Sequence, residues 1–257
     1  IVFFRLGDFY ETFDGDAETV ARELEITLTS RPVSKGERVP LAGIPHHALD
    51  SYLGKLISKG YKVAICEQME EPVKGKKIVD RQVVRVITPG TLVEDNLLPS
   101  EGNNYLAAVL TQGDDEAAGL AFVDVSTGEF ACLQADRATV ESELQRLAPA
   151  EVLAAGWTPL QGVARTITPV PGVDVQAAVD ALLAHFDTSV LDGLGLAGQR
   201  LAAAAAGLIV DYLRENQAAG RISGLEKDRV ALVQAMPLPF YNSSPSARSG
   251  LTLEEII

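Results

Sequence analysis

Phe9 and Glu11, separated only by Tyr10, are the residues of this chain whose types and spacing lend themselves to recognition chemistry. An aromatic at the tip of an element can reach outward, and Glu11, two residues on, can place a carboxylate beside it. The pair lies in the aromatic-rich stretch Phe3-Phe4-Arg5-Leu6-Gly7-Asp8-Phe9-Tyr10-Glu11-Thr12-Phe13. Gly7 breaks the run, and Asp8 follows as a helix N-cap able to accept from the backbone N–H of Tyr10 or Glu11. On this basis a strand ends at Leu6 and a helix begins, with Phe9 in its first turn at the positive dipole end. The competing reading makes Phe9 a core residue, as its burial ranking favours, and Glu11 a solvated first-turn acid.

Other groups with chemical potential are scattered. Arg31, Lys35 and Arg38 fall in a turn-rich stretch, and Lys74, Lys76, Lys77 and Arg81 in a charged one; each is either an anion contact or a solvated surface charge. His46-His47 has no third or fourth ligand at zinc spacing, so the two histidines pack or cap a helix start and no metal site is expected. Asp124, on a strand, is the residue that a two-metal nuclease would use. Such a site needs convergent carboxylates, and Glu129 and Asp211 do not make a convincing set; otherwise Asp124 stabilises a turn at a strand end. Cys66 and Cys132 sit in apolar runs and read as small buried hydrophobes in a reducing, cytoplasmic setting. No GxxxxGK[ST] phosphate loop occurs in the chain.

The elements that position these groups follow from periodicity. Ile1–Leu6 is a strand; Phe9, Phe13, Ala17, Val20, Ala21 and Leu24 recur at helical intervals, so a helix covers about 9–24. Ile26–Thr29 reads as a strand, Arg31–Val39 as a hairpin loop, and Val39–Pro45, with two prolines, as an edge strand with a tight turn. A helix at His46–Lys59 ends at Gly60. Strands at Tyr61–Gln68 and Gln82–Thr88 flank the charged loop Glu70–Lys77. Residues 99–104 are turn formers without periodicity and mark a linker between domains at 1–98 and 105–235. Beyond it come three strands in meander order (Tyr105–Thr111, Gly119–Asp124, Glu129–Ala135). A helix at Arg137–Leu147 and a parallel-type strand at Glu151–Leu153 follow, then helices at Asp174–Phe186 and Gly198–Glu215. The fold class is therefore α/β: a small mixed-sheet domain followed by a ribonuclease H-like domain. Residues 236–257, broken by Pro237, Pro239 and Pro245, read as an irregular tail or the start of a next domain.

The 257 residues carry a net charge of −13, which taken alone opposes binding to nucleic acid. The imbalance is uneven: acids and bases nearly cancel over 1–100, and the excess acid falls in 101–257. The first segment can thus present a locally positive face. No apolar run approaches the ~20 residues of a membrane span, and no secretory signal pattern is visible. The chain opens at Ile1, without methionine and inside a strand, so residues upstream are expected.

GDFYETF closely resembles the mismatch-reading motif of the MutS family of DNA mismatch repair proteins, where a Phe and a Glu separated by one residue probe the duplex. LAGIPHHALDSYLGKLISKGYKVAICEQMEEP and RQVVRVITPGTLVEDNLL are similar to the N-terminal domain of that family. The likeness is strong over the first hundred residues and looser over the next hundred and thirty or so. It implies a mismatch-binding domain, then a connector. Phe9 would be the minor-groove wedge and Glu11 the carboxylate that discriminates against perfect duplex. Arg31 matches a family position in a loop facing DNA; Lys35, Arg38 and Lys76 are further contact candidates, and the backbone of Leu6 and Gly7 would shape the groove approach. The partners implied are mismatched double-stranded DNA, a second MutS subunit in a homodimer, and downstream repair proteins such as MutL. The chain itself is not expected to be an enzyme; ATP and Mg²⁺ belong to a C-terminal ATPase of the full-length protein. The alternatives are a metal-dependent nuclease using Asp124 and an interaction module that has lost DNA binding.

Overall fold

The computed structural model describes residues 1–34, 37–69, 81–92, 102–113, 116–157 and 162–218. They fall into two compact units, Ile1–Ser100 forming the body of the first and Glu101–Leu213 that of the second.

The first unit opens with a hairpin. β1 (Val2–Leu6) and β2 (Phe9–Phe13) pair antiparallel across Gly7-Asp8. This overturns the helix start expected at Asp8: a second strand follows the turn. Phe9, Glu11 and Phe13 alternate with Tyr10 and Thr12, and the latter two are buried while Phe9 is exposed. Aromatic and β-branched residues suit such a half-buried pleat. The spacing of Phe9 and Phe13 is in phase with the helix that follows, which is why helical periodicity alone runs one element too far. α1 (Asp14–Leu24) buries Ala17, Val20, Ala21 and Leu24. β3 (Thr29–Ser34) and β4 (Glu37–Pro45) come next, so the strand expected at Ile26–Thr29 begins only at its last residue. α2 (Leu49–Ser58) follows a 3-10 turn at His46–Ala48. It is closed beyond Lys59 by Gly60 (φ +87°), with the Gly60 N–H on the Ile57 carbonyl and the Tyr61 N–H on that of Leu56. β5 (Val63–Gln68) and β6 (Arg81–Ile87) complete the sheet.

The strand order is β3-β4-β2-β1-β5-β6, with only β1 and β5 parallel. β4 therefore lies inside the sheet, contrary to the edge position expected from its prolines. Each proline removes a single ladder donor, and Pro45 does so at the strand's last residue. The registers sort the side chains into two faces. Phe3, Arg5, Tyr10, Thr12, Ala42 and Ile44 share one; Phe4, Leu6, Phe9, Glu11, Phe13, Leu41 and Gly43 share the other. Phe3, Tyr10, Ala42 and Ile44 join Ala17, Val20, Leu53 and Leu56 of the helices in one core. Phe4, Leu6, Phe9 and Phe13 are absent from that core.

The second unit begins with the expected meander, β7 (Tyr105–Leu110), β8 (Ala117–Asp124) and β9 (Glu129–Asp136). α3 (Arg137–Leu147) is capped by Asp136, whose carboxylate accepts from the Thr139 N–H at 2.8 Å. β10 (Glu151–Ala155) pairs parallel with β7, and β11 (Thr166–Pro169) parallel with β10. β11 was not legible: four residues ending in proline give little alternation to read. The order β11-β10-β7-β8-β9, with β8 alone reversed, is the ribonuclease H-like arrangement. α4 (Val175–His185) and α5 (Arg200–Ala218) follow. No described helix is long and apolar enough to cross a membrane. Residues 70–77, 99–101, 114–115 and 236–257, on which expectations fell, lie outside the described residues.

Candidate nucleic-acid interface

The tip of the β1–β2 hairpin is set by Gly7, whose φ of +62° is followed by Asp8 in the ordinary half of dihedral space. This is the pattern of a II′ turn, whose twist matches that of the strands it joins. The Asp8 carbonyl accepts from the His46 N–H at 2.9 Å, tying the turn to the end of β4. Leu6 and Phe9 close the hairpin as directly opposed residues, and Pro45 flanks Phe9 on its other side. Phe9 is 47% exposed, whereas Tyr10 next to it and Phe3 on β1 are buried.

Glu11 stands on the same face, two residues and about 7 Å along the strand. Across the ladder it meets Phe4 on one side and Gly43 on the other. Phe4 and Phe13 pack against each other with centroids 5.9 Å apart. The open face thus carries a ring and a carboxylate in line, with half-buried aromatics beside them. On the opposite face Tyr10 is anchored: its hydroxyl donates to Glu67, and Arg5 lies over its ring. Burial, and then the Glu67 carboxylate, push the Tyr10 phenol up to about 12.

Of the expected contact residues that are described, Leu6 and Gly7 adjoin Phe9 at the hairpin, whereas Arg31 and Arg38 lie further along the sheet. Arg31 is exposed and shares the face of Phe9, but it pairs with Val39, six residues down β4 from Pro45 and roughly 20 Å from the ring. Arg38 donates from Nε to the Ser30 hydroxyl (2.7 Å) and from Nη2 to the Ser30 carbonyl (2.6 Å), which commits it to bracing β3. Leu6 is half-buried and Gly7 exposed at the hairpin tip. Lys35, Lys74, Lys76 and Lys77 lie outside the described residues. Two residues around the pair escaped the sequence reading, Arg5 and Gly43. Both owe their place to strand register, which a continuous helix from Asp8 could not supply.

Asp124 is 1% exposed and its carboxylate accepts from the backbone N–H of Asn104 (3.0 Å) and from the N–H and hydroxyl of Ser126 (2.9 and 2.6 Å). Glu129 accepts from the Tyr105 hydroxyl and the Asn103 amide. Among the described residues no group of three or more His, Cys, Asp or Glu is arranged to hold a metal ion. His46 and His47 are exposed in the 3-10 turn. Cys66 and Cys132 are free and buried, and burial pushes the Cys132 thiol up to about 12.

Comparison with known proteins places both units. Residues 1–96 match the family model of MutS domain I, and residues 104–226 that of MutS domain II. The DNA mismatch repair protein MutS of Dehalococcoides mccartyi (strain CBDB1) is 50% identical over 222 residues, covering 84% of this chain and 26% of the relative. That of Symbiobacterium thermophilum is 46% identical over 242 residues, 88% of this chain and 27% of the relative. The MutS of Methanococcoides burtonii is 44% identical over 232 residues, 84% of this chain and 26% of the relative. The chain thus spans about a quarter of the length of these relatives. With two successive domain models of one family matched in order, and 44–50% identity to relatives over most of its length, the chain belongs to the MutS family of DNA mismatch repair proteins.

Proposed function

We propose that this chain recognises DNA mispairs and small insertion/deletion loops by inserting Phe9 into the minor groove, with Glu11 reading the displaced base, and so initiates mismatch repair. The observation that carries the reading is a half-exposed ring at the first residue of a strand, beside a tight turn, with a carboxylate two residues on along the same face. Unstacking a base step costs a few kcal/mol, least at a mismatched base. Stacking an aromatic on a base returns ~1–3 kcal/mol. The two nearly balance, so a modest difference in duplex deformability decides whether the wedge enters, and no base code is needed.

Glu11 adds discrimination. Phosphates repel its charge on any duplex, whereas a displaced base offers it a ring N–H or exocyclic amine. It therefore penalises the common partner more than the rare one. The mismatched duplex is the substrate. A homodimer, downstream partners such as MutL, a cytoplasmic location, and an ATPase using ATP and Mg²⁺ elsewhere in the full-length protein complete the proposal on family likeness alone.

The test is the ratio of affinities for mismatched and matched duplexes, with and without Phe9, in the full-length protein. Phe9→Ala is expected to reduce the ratio to near one. A ratio that survives this substitution removes the wedge from the mechanism.

A further inference from the structure

We infer that Arg5 is a positioning residue for the Phe9–Glu11 pair, an inference that rests on the function proposed above. Phe9 is exposed and takes no part in the core, so its neighbours in the chain must set its direction. A reading constellation has to be held to within roughly 0.5 Å by residues that are themselves locked. Arg5 meets that requirement from both ends of the segment. Its Nε donates to the carbonyl oxygen of Gly7 at 2.5 Å, fixing the turn that precedes Phe9. Its guanidinium carbon lies 5.4 Å from the centroid of the Tyr10 ring, against the residue that follows Phe9. A planar guanidinium can stack and donate at once, which an ammonium cannot do in the same geometry.

The grip continues into the sheet. Tyr10, directly opposite Arg5 in the ladder, donates its hydroxyl to Glu67 on β5. Arg81 on β6 donates from Nε to the Arg5 carbonyl at 3.4 Å. Arg5 and Tyr10 lie on the face opposite Phe9 and Glu11, so this cluster supports the pair from behind. That placement separates Arg5 from an ordinary phosphate contact. A phosphate contact adds affinity for every duplex; a brace on the turn and on Tyr10 acts only through the wedge.

The experiment measures affinity for mismatched and matched duplexes across a salt series, in the full-length protein and its Arg5→Ala, Arg5→Met and Arg5→Lys variants. Each variant is paired with a Phe9→Ala counterpart. Arg5→Met keeps the apolar stem and serves if the alanine variant folds poorly. The expected result is a mismatch-to-match ratio reduced about tenfold, within the range of coupled neighbours, with the salt slope unchanged and no restoration by lysine. In the Phe9→Ala background Arg5 substitution is expected to change the ratio no further. Equal losses on both duplexes, a salt slope shallower by ~1 and rescue by lysine would make Arg5 a phosphate contact and overturn the inference. An unchanged ratio overturns it as well. If Phe9→Ala alone leaves the ratio intact, the proposed function fails first, whatever Arg5 does.

Discussion

Glu11 and Gly43 face each other across the β2–β4 ladder, and a β-carbon at Gly43 would stand 3.4 Å from the Glu11 Cγ. That is ordinary contact, so alanine fits, but a branched side chain would occupy the space beside the carboxylate. Gly43→Ala is expected to leave mismatch discrimination within about twofold. Gly43→Val is expected to lower it by roughly threefold to tenfold, or about 0.7–1.4 kcal/mol, while β propensity keeps the strand at least as stable. Fluorescence anisotropy on paired duplexes, with thermal melts as the folding control, checks both. A valine variant with an unaltered ratio would show that Glu11 needs no room on that side.

In the second unit, α5 depends on close approach. A β-carbon on Gly207 would fall 1.8 Å from the Ala178 carbonyl oxygen of α4, and one on Gly119 of β8 would fall 2.1 Å from the Leu201 carbonyl oxygen. Backbone carbonyls cannot swing aside as a side chain can. Gly207→Ala gains about 0.8–1 kcal/mol of helix propensity, yet overpacking of this kind costs about 1–3 kcal/mol or more. The clash wins: urea denaturation is expected to show a net loss of stability for Gly207→Ala and for Gly119→Ala. A stabilised Gly207→Ala would mean that α4 and α5 can separate cheaply.

The second unit was largely legible because its signals are local. Asp136 caps α3 where an Asp before a helical pattern should, and the bounds Arg137–Leu147 are those read from periodicity. Apolar runs such as Tyr105–Leu110 leave little doubt about buried strands. Where the sequence misled, two periods competed. Phe9 and Phe13 fit both the strand and the phase of α1, and the Gly7-Asp8 pair served equally as an N-cap or a hairpin turn. Pro40 and Pro45 argued for an edge because the cost of one lost donor inside a nine-residue strand cannot be weighed without its neighbours. The site suffered from the same gap. Phe9 and Glu11 stand two residues apart in sequence and on one face, but Arg5 and Gly43 join them only through register, which long-range pairing sets.

Asp124 tests the nuclease alternative through stability. Its carboxylate satisfies the Asn104 N–H, the Ser126 N–H and the Ser126 hydroxyl in a position that is almost fully buried. Asn keeps one acceptor and turns the other into a donor, so a buried N–H loses its partner at a cost of about 1–3 kcal/mol. Asp124→Asn is expected to lower the melting temperature by several degrees. Mg²⁺- or Mn²⁺-dependent cleavage of labelled duplex that disappears with this substitution, at unchanged stability, would reverse the assignment.

Glu23 supplies an acid-sensitive tie between α1 and the segment after α2. Its carboxylate accepts from Lys59 Nζ (3.0 Å), the Tyr61 hydroxyl (3.0 Å) and Arg22 Nε (3.1 Å). These bonds, that of Lys59 first, hold its carboxyl down to about 2. In the unfolded chain a glutamate titrates near ~4.3. The unfolded state therefore takes up the proton first as pH falls, so the contribution is fully present above the unfolded value and is lost as pH drops toward about 2. The group is at the surface, so salt screens the effect and its size is modest. Melting temperature followed from pH 5 to pH 2 is expected to fall less steeply in Glu23→Gln than in the unaltered protein, the difference narrowing in 1 M salt, where the screening length falls to ~3 Å, comparable with the 3.0 Å between Lys59 Nζ and the Glu23 carboxylate. Parallel acid limbs in the two proteins would show that Lys59 and Tyr61 hold Glu23 no more tightly than water does.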